Sequence, residues 1–271
     1  AGNQELATAD VARFTDIEPS PEGKRIAVIR DGDVWVYDRD RKIFSRLTRT
    51  EQEELSLVWS RDGASVLYSR DVPNFDVFRR AADGSGVEEA LLSSLSDESA
   101  SSFSRDGSVL LYDLTDAQND IHALTLGSNA RTTAPLISAA GSQRGGMFSP
   151  DGMWVAYTSS ESGRNEIYLA PYPVDRGPRR QQVSGAGGEN ARWGPDGRTL
   201  YYQWSKKVIR VRINPRTGEI GKPEILERVP AGVALSLAPD GRFLVAVPRA
   251  GSLRRSVKVV LNWDSMVRAG K

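Results

Sequence analysis

Short apolar runs separated by turn residues recur along the chain, and no stretch repeats its apolar positions at helical spacing. The clearest unit starts at Phe148 and runs through Ser149-Pro150-Asp151-Gly152. It continues with Val155-Ala156-Tyr157 and then Asn165-Glu166-Ile167-Tyr168-Leu169. In such a tetrapeptide Pro presets its own φ, the Asp carboxylate bonds back to nearby backbone, and Gly accepts positive φ. A strand therefore ends before the turn and another begins after it. The arrangement returns at Ser20-Pro21-Glu22-Gly23, Ser60-Arg61-Asp62-Gly63, Ser104-Arg105-Asp106-Gly107, Gly194-Pro195-Asp196-Gly197 and Ala238-Pro239-Asp240-Gly241. The copies follow one another at 40 to 45 residues, a period that means radial or solenoidal repetition.

Three residues after each turn Gly stand Ile26, Val66, Leu110, Val155, Leu200 and Leu244, and five after it Val28, Tyr68, Tyr112, Tyr157, Tyr202 and Ala246. The column between them (Ala27, Leu67, Leu111, Ala156, Tyr201, Val245) is also apolar, so this strand is predicted to be buried on both faces. A third strand places an acid, a β-branched residue and a ring in sequence: Asp33-Val34-Trp35, Asp76-Val77-Phe78, Asp120-Ile121-His122 and Glu166-Ile167-Tyr168. Trp59, Phe103, Phe148, Trp193 and Leu237 precede the turns as candidate wedges between repeats, with Pro19 breaking the column. The last repeat lacks a fourth strand, and residues 4 to 8 are expected to supply it beside Val257 to Asn262, which removes an exposed sheet edge. The expected fold is all-β: one domain over residues 1–271, a six-bladed β-propeller of four-stranded antiparallel blades closed by the N-terminal strand. The Gly- and Ser-rich pieces at Asp83 to Gly86, Ser93 to Ser102, Ala139 to Gly146 and Ser184 to Gly188 are expected as loops.

A hydrophobic content of 39% with 26% charged residues excludes a disordered chain. No apolar run is long enough to span a bilayer, so direct membrane insertion is not expected. Absence of cysteine excludes disulfide and thiolate chemistry. The start at Ala1 without Met or a signal peptide fits a processed protein or an excised fragment. Net charge is +1, but residues 1–135 hold 15 Lys/Arg against 24 Asp/Glu, and residues 136–271 hold 21 against 11. That asymmetry bears on solubility and association, not on fold. Basic clusters at Arg176, Arg179 and Arg180, at Lys206, Lys207, Arg210 and Arg212, and at Arg249, Arg254 and Arg255 lack interleaved aromatic platforms. They read as solvated faces, and no nucleic-acid partner is expected.

The single histidine, His122, stands in the ring column and reads as a packed ring, and no Gly-x-Ser-x-Gly elbow is present. Asp62, Asp106, Asp151, Asp196 and Asp240 are explained by their turns, with Glu22 a substitute. Asp83-Gly84-Ser85-Gly86 reads as a hairpin turn, since it is too short for a calcium loop. No catalytic residue, metal site or cofactor is therefore expected. What remains is the mouth of the central channel, where the loops entering each inner strand carry Asp16, Glu53, Glu54, Glu98, Arg144, Glu189 and Asn190. Loops on a rigid scaffold concentrate binding function. With acids outnumbering Arg144, the mouth is expected to prefer a cationic peptide segment, a protein amine terminus or a metal ion over an anion.

The Ser-Pro-Asp-Gly repeats followed by apolar strands and Glu166-Ile167-Tyr168 resemble the PD40 or TolB-like six-bladed β-propellers over nearly the whole chain. Gln182-Val183-Ser184, Gly187-Gly188-Glu189-Asn190-Ala191-Arg192-Trp193 and Val259-Val260-Leu261-Asn262-Trp263 resemble the C-terminal propellers of membrane-anchored bacterial Ser/Thr protein kinases. The resemblance implies a sensor or scaffold module held outside the cytoplasmic membrane, binding a protein or peptide. Kinase motifs are missing from the chain, so kinase or hydrolase activity would reside in another domain. The alternative is a propeller that forms part of an enzyme, either a lyase of the same propeller type or the gating domain of a serine peptidase.

Overall fold

A computed structural model describes residues 4–6, 12–116, 118–127, 130–174, 180–228, 235–248 and 255–260. They carry six four-stranded antiparallel sheets. The chain divides into two units, residues 1–95 with 230–271 and residues 96–229, and each unit holds three of the sheets.

The N-terminal strand β1 (Gln4–Leu6) belongs to the sixth sheet. The first sheet pairs β2 (Phe14–Pro19), β3 (Arg25–Arg30), β4 (Asp33–Asp38) and β5 (Ile43–Arg46) in chain order. The second is β6 (Glu54–Trp59), β7 (Ser65–Asp71), β8 (Phe75–Ala81) and β9 (Glu89–Leu92). In the other unit the third sheet is β10 (Asp97–Phe103), β11 (Val109–Thr115), β12 (Asn119–Leu126) and β13 (Arg131–Ile137). The fourth is β14 (Gln143–Phe148), β15 (Trp154–Ser159), β16 (Glu166–Pro171) and β17 (Gln181–Gln182). The fifth is β18 (Glu189–Trp193), β19 (Thr199–Trp204), β20 (Lys207–Arg212) and β21 (Glu224–Arg228). The sixth joins β22 (Leu235–Leu237), β23 (Phe243–Pro248) and β24 (Arg255–Val260) to β1, with Gln4 opposite Val260 and Leu6 opposite Lys258. The expected N-terminal closure is thus present. Residues 7 and 8, and 261 and 262, lie outside the described residues.

Each repeat turn closes by an N–H of its Gly donating to the carbonyl of the first turn residue, at 2.8 to 3.0 Å, with Gly φ between 62° and 81°. The turn carboxylates do what the motif requires. Asp151 Oδ1 accepts from Ser149 Oγ at 2.5 Å and Met153 N at 3.0 Å, and Asp106 Oδ1 from Ser104 Oγ at 2.7 Å and Ser108 N at 3.0 Å. These bonds hold the Asp106 carboxyl down at about 2, the Ser104 hydroxyl first among them. Glu22, one methylene longer, instead accepts from Arg25 Nε at 2.7 Å.

The second strand of each sheet is buried on both faces, with Ile26, Val66, Leu110, Val155, Leu200 and Leu244 all at 2% exposure or less. Tyr201 is the one partly exposed member of the middle column. Neighbouring sheets within a unit share their cores. Ala27, Val34 and Val36 pack with Trp59, Val66 and Tyr68, and Ile167 and Leu169 pack with Trp193, Leu200 and Tyr202. The wedge tryptophans also bind across the seam: Trp59 Nε1 donates to the Glu18 carbonyl at 2.9 Å, and Trp193 Nε1 to the Met147 carbonyl at 3.1 Å.

Two of the expected loops are largely strand. Ser93 to Ser102 contains most of β10, and Ala139 to Gly146 contains the start of β14. Apolar alternation is missing there because these inner strands pack where little space is left. A Cβ on Gly146 would sit 3.1 Å from both Ile121 and Leu111, and Ser102 Oγ bridges to the next inner strand, donating to the Gly146 carbonyl at 2.9 Å and accepting from Phe148 N at 3.1 Å. The acid of the third strand also has a fixed role at the sheet end. Ser93, Ser138 and Ser184 donate to Asp76, Asp120 and Glu166, respectively. Glu166 further accepts from Gly187 N at 2.9 Å.

Deleting residues 1–9 removes the partner of β24 and leaves its edge open. We expect the truncated chain to melt several degrees below the parent, about 5 °C for a loss near 2 kcal/mol. Equal melting temperatures by circular dichroism would show that β1 contributes nothing to closure of the sixth sheet.

Candidate functional site

The seven residues assigned to the mouth lie at the starts of inner strands, and their side chains divide into two groups. In the unit of residues 1–95 with 230–271, Asp16 is turned into the seam between the first two sheets. One carboxylate oxygen accepts from Ile17 N and the other from Leu57 N of β6, both at 2.9 Å. Glu54 is fully buried and accepts from Thr48 Oγ1 at 3.0 Å, Thr50 Oγ1 at 2.8 Å and Arg70 Nε at 3.1 Å. Glu53 alone points outward, paired with Arg13.

Glu54 belongs to a buried charge network. Arg70 reaches it with Nε and makes a two-pronged contact with Glu88, at 2.7 and 2.6 Å, while the Tyr68 hydroxyl donates to the same Glu88 carboxylate. The guanidinium also lies 4.7 Å from the Phe78 ring centre. Burial pushes the Glu54 carboxyl above its ordinary range, against the pull of the Thr50 and Thr48 hydroxyls and Arg70. For Glu88 burial acts in the same sense, but Arg70 and Tyr68 outweigh it and the carboxyl ends low. Burial and the Glu88 carboxylate raise Tyr68.

In the unit of residues 96–229, Glu98 is buried at 3% exposure. Arg144 Nη2 lies 3.3 Å from Glu189 Oε2 with both side chains over 40% exposed, and Asn190 Nδ2 donates to Gln203 Oε1 at 2.9 Å. Asp113, at the end of β11, receives the Gly145 N–H at 2.9 Å on both oxygens. Desolvation pushes this carboxyl up to about 7, although the Gly145 N–H and Arg144 oppose the shift.

Two sequence expectations are therefore corrected. Asp16, Glu54, Glu98, Arg144, Glu189 and Asn190 stand in strands, and only Glu53 lies in a loop. The acids do not form an uncompensated negative group: Asp16, Glu54 and Glu98 are taken up by the packing, and the exposed Glu53 and Glu189 face arginines. Sequence reasoning missed Arg13, Asp113 and the network of Tyr68, Arg70 and Glu88. A signal for the pairs existed. Arg13 and Glu53 are 40 residues apart and Arg144 and Glu189 are 45, each separation equal to the local repeat length. Opposite charges one repeat apart at the same repeat position therefore meet across neighbouring inner strands.

Among the other candidates, the His122 ring lies 5.5 Å from that of Tyr112, which faces it across the strand pair. Among the described residues no group of three His, Asp or Glu side chains is placed to hold a metal ion. Of the basic clusters, Arg180 pairs with Glu161 at 3.1 Å and Arg210 with Glu224 at 2.8 Å. Arg176, Arg179, Arg249 and Arg254 lie outside the described residues. The glycines of the Gly187-Gly188 motif are required by packing, since a Cβ on Gly187 would fall 2.3 Å from the Trp204 ring and one on Gly188 2.8 Å from Ile167.

No family model matches the chain, and no curated relative matches it. Solved structures do. The chain is similar to a putative TolB from Agrobacterium tumefaciens at 16% identity and a TM-score of 0.69, covering 92% of this chain and 91% of that one. It is similar to TolB from Acinetobacter baumannii at 15% identity and a TM-score of 0.64, covering 93% of this chain and 64% of that one. The Cps50 (Swd1) beta-propeller domain of Myceliophteria thermophila aligns at 14% identity and a TM-score of 0.63, over 88% and 82% of the two chains. At these identities the likeness establishes the fold, a TolB-like and WD40-like β-propeller of four-stranded antiparallel blades.

Asp113 generates a pH prediction. Folded, it keeps its proton to about pH 7, and unfolded it releases it near pH 4. Between those values the folded state binds more protons, so the contribution of Asp113 is complete below about pH 4 and is lost as pH rises through about 7. Asp113→Asn, which cannot ionise, should gain stability relative to the parent between pH 4 and 8 in urea titrations. A constant difference across that range would contradict the assignment.

Proposed function

We propose that the chain is a non-catalytic β-propeller module whose six sheets close as six blades, and that it binds a protein or peptide segment where the inner strands begin. The observation that supports this reading most is the recurrence of an exposed Arg–Glu pair, Arg13 with Glu53 in one unit and Arg144 with Glu189 in the other. Exposed pairs of this kind contribute little to stability, yet they present a donor fork and a carboxylate side by side on a rigid strand end. A segment carrying both basic and acidic residues can exchange with such pairs, while a purely cationic or purely anionic segment meets one repulsive partner for each attractive one. The ligand is thus a mixed-charge polypeptide segment, with Asn190 and Gln203 adding amide groups beside Glu189.

Likeness to TolB and WD40 propellers is consistent with a protein-binding role but does not assign a partner, because a fold hosts many functions. The resemblance of the Gln182-Val183-Ser184 and Gly187 to Trp193 motifs to receptor-kinase propellers supports an extracytoplasmic sensor or scaffold. Its signalling partner domain would lie elsewhere in a longer protein.

The test is selection from a mixed-charge displayed peptide library, with affinities read by fluorescence anisotropy. Glu53→Lys and Glu189→Lys together should weaken a selected peptide about tenfold or more, with an unchanged melting temperature because both side chains are exposed. Undiminished binding by the double variant at low and physiological salt would move the recognition surface elsewhere.

A further inference from the structure

The geometry points to a second site: an anion-binding cleft on the fifth sheet that takes a small organic phosphate or carboxylate. It lies at the end of the sheet away from Glu189, where Thr199 pairs with Arg212 and the chain then turns through residues 213–221. A cavity of about 570 Å³ opens there, lined by Arg198, Arg212 and Arg216 with Ile213, Pro215 and Glu219 among the remaining walls. That volume is within the range of small-molecule sites and far exceeds a single ion.

Three arginines from three separate segments line this space, against one carboxylate, Glu219. Like charges brought together raise one another's energy, so such a group is stable only where solvent or a counter-ion answers it. The carboxylates at hand answer it in part. Asp196 Oδ2 stands 3.7 Å from Arg212 Nη1, and that carboxylate is already occupied by Arg198 N, Thr199 N and Thr199 Oγ1 at 3.0, 3.0 and 2.7 Å. Arg198 and Arg216 form no ion pair among the described residues. Planar guanidinium forks match the oxygens of phosphate and carboxylate groups in two-pronged contacts. Ile213 and Pro215 add an apolar wall, which favours an anion carried on a carbon skeleton over a bare inorganic ion.

The wall that carries Arg216 is held in place before any ligand arrives. Asn214 N donates to the Glu219 carbonyl at 2.9 Å, Gly218 N to the Asn214 carbonyl at 2.8 Å, and Arg216 N to Asn214 Oδ1 at 3.0 Å. Trp154 of the fourth sheet donates from Nε1 to the Pro215 carbonyl at 2.8 Å and underlies Gly218, where a Cβ would fall 2.3 Å from its ring. Gly218, at φ 72°, is therefore required both by conformation and by space. A pinned loop loses little freedom on binding, which raises affinity for a given set of contacts.

The experiment is isothermal titration calorimetry on the full chain with phenyl phosphate, tricarballylate and inorganic phosphate as probes. Arg198→Gln with Arg216→Gln is the test variant, and both positions are exposed, so folding is confirmed by an unchanged melting curve. We expect saturable binding of phenyl phosphate or tricarballylate, the stronger of the two identifying the headgroup, at least threefold weaker binding of inorganic phosphate, and a tenfold or greater loss in the double variant. No saturable binding of either organic probe overturns the proposal, as does equal affinity in parent and variant. Binding of a single-stranded hexanucleotide through these arginines without binding of either small organic anion overturns it too, in favour of a nucleic-acid surface. Because Glu53 and Glu189 take no part, failure here leaves the peptide-binding reading intact, and the reverse also holds.

Discussion

The inner strand of each sheet has a second edge with no strand hydrogen-bonded along it, and the fold depends on side chains that satisfy this edge where sheets meet. Buried backbone N–H and C=O groups must find partners. Asp16 accepts from Leu57 N, Asp113 accepts from Gly145 N, and Ser102 serves both the Gly146 carbonyl and Phe148 N. Trp59 and Trp193 return the favour to the preceding inner strand through their indole N–H groups. All of these bonds except that of Asp113, which spans 32 residues, join positions about one repeat apart, so the period of the sequence is also the geometry by which one sheet is fastened to its neighbour.

That constraint decides which charges stay exposed. Asp16 and Glu54 are polar and sit at strand starts, yet they are spent on backbone N–H groups, threonine hydroxyls and Arg70. The charges left exposed at the strand starts are paired, Arg13 with Glu53 in one unit and Arg144 with Glu189 in the other. A carboxylate beside a guanidinium projects a short-range mosaic, not a negative field.

Much of the fold was legible in the sequence because the turns and the doubly buried second strand repeat with little variation. Ser-x-Asp-Gly and the apolar triplets are local signals, and the N-terminal strand followed from counting strands in the last repeat. The inner strands were harder to read. Gly146 and Ser102 look like loop sequence because close approach of neighbouring sheets selects small residues over alternating apolar ones, whereas Gly145 has open space beside it and is favoured by its φ of 65°. For the seven candidate residues, their place near the strand starts was legible and the orientation of their side chains was not. Whether an acid at a strand start faces water or the seam depends on a β-bulge: the register shifts between Phe14 and Asp16, between Leu55 and Val58, and between Glu189 and Arg192. A shift of one residue exchanges the two faces of a strand, and no composition or periodicity of the single chain reveals where it occurs.

The division between fastening acids and exposed acids is measured most directly by urea unfolding of four single variants that remove the acceptor outright: Asp16→Ala, Glu54→Ala, Glu53→Ala and Glu189→Ala. Loss of a buried charged acceptor costs about 1 to 3 kcal/mol, whereas an exposed pair costs about 0 to 1 kcal/mol. The first two variants should unfold at clearly lower urea concentration, and the last two should stay within about 0.5 kcal/mol of the parent. Equal losses across all four, or larger losses at Glu53 and Glu189, would contradict the division.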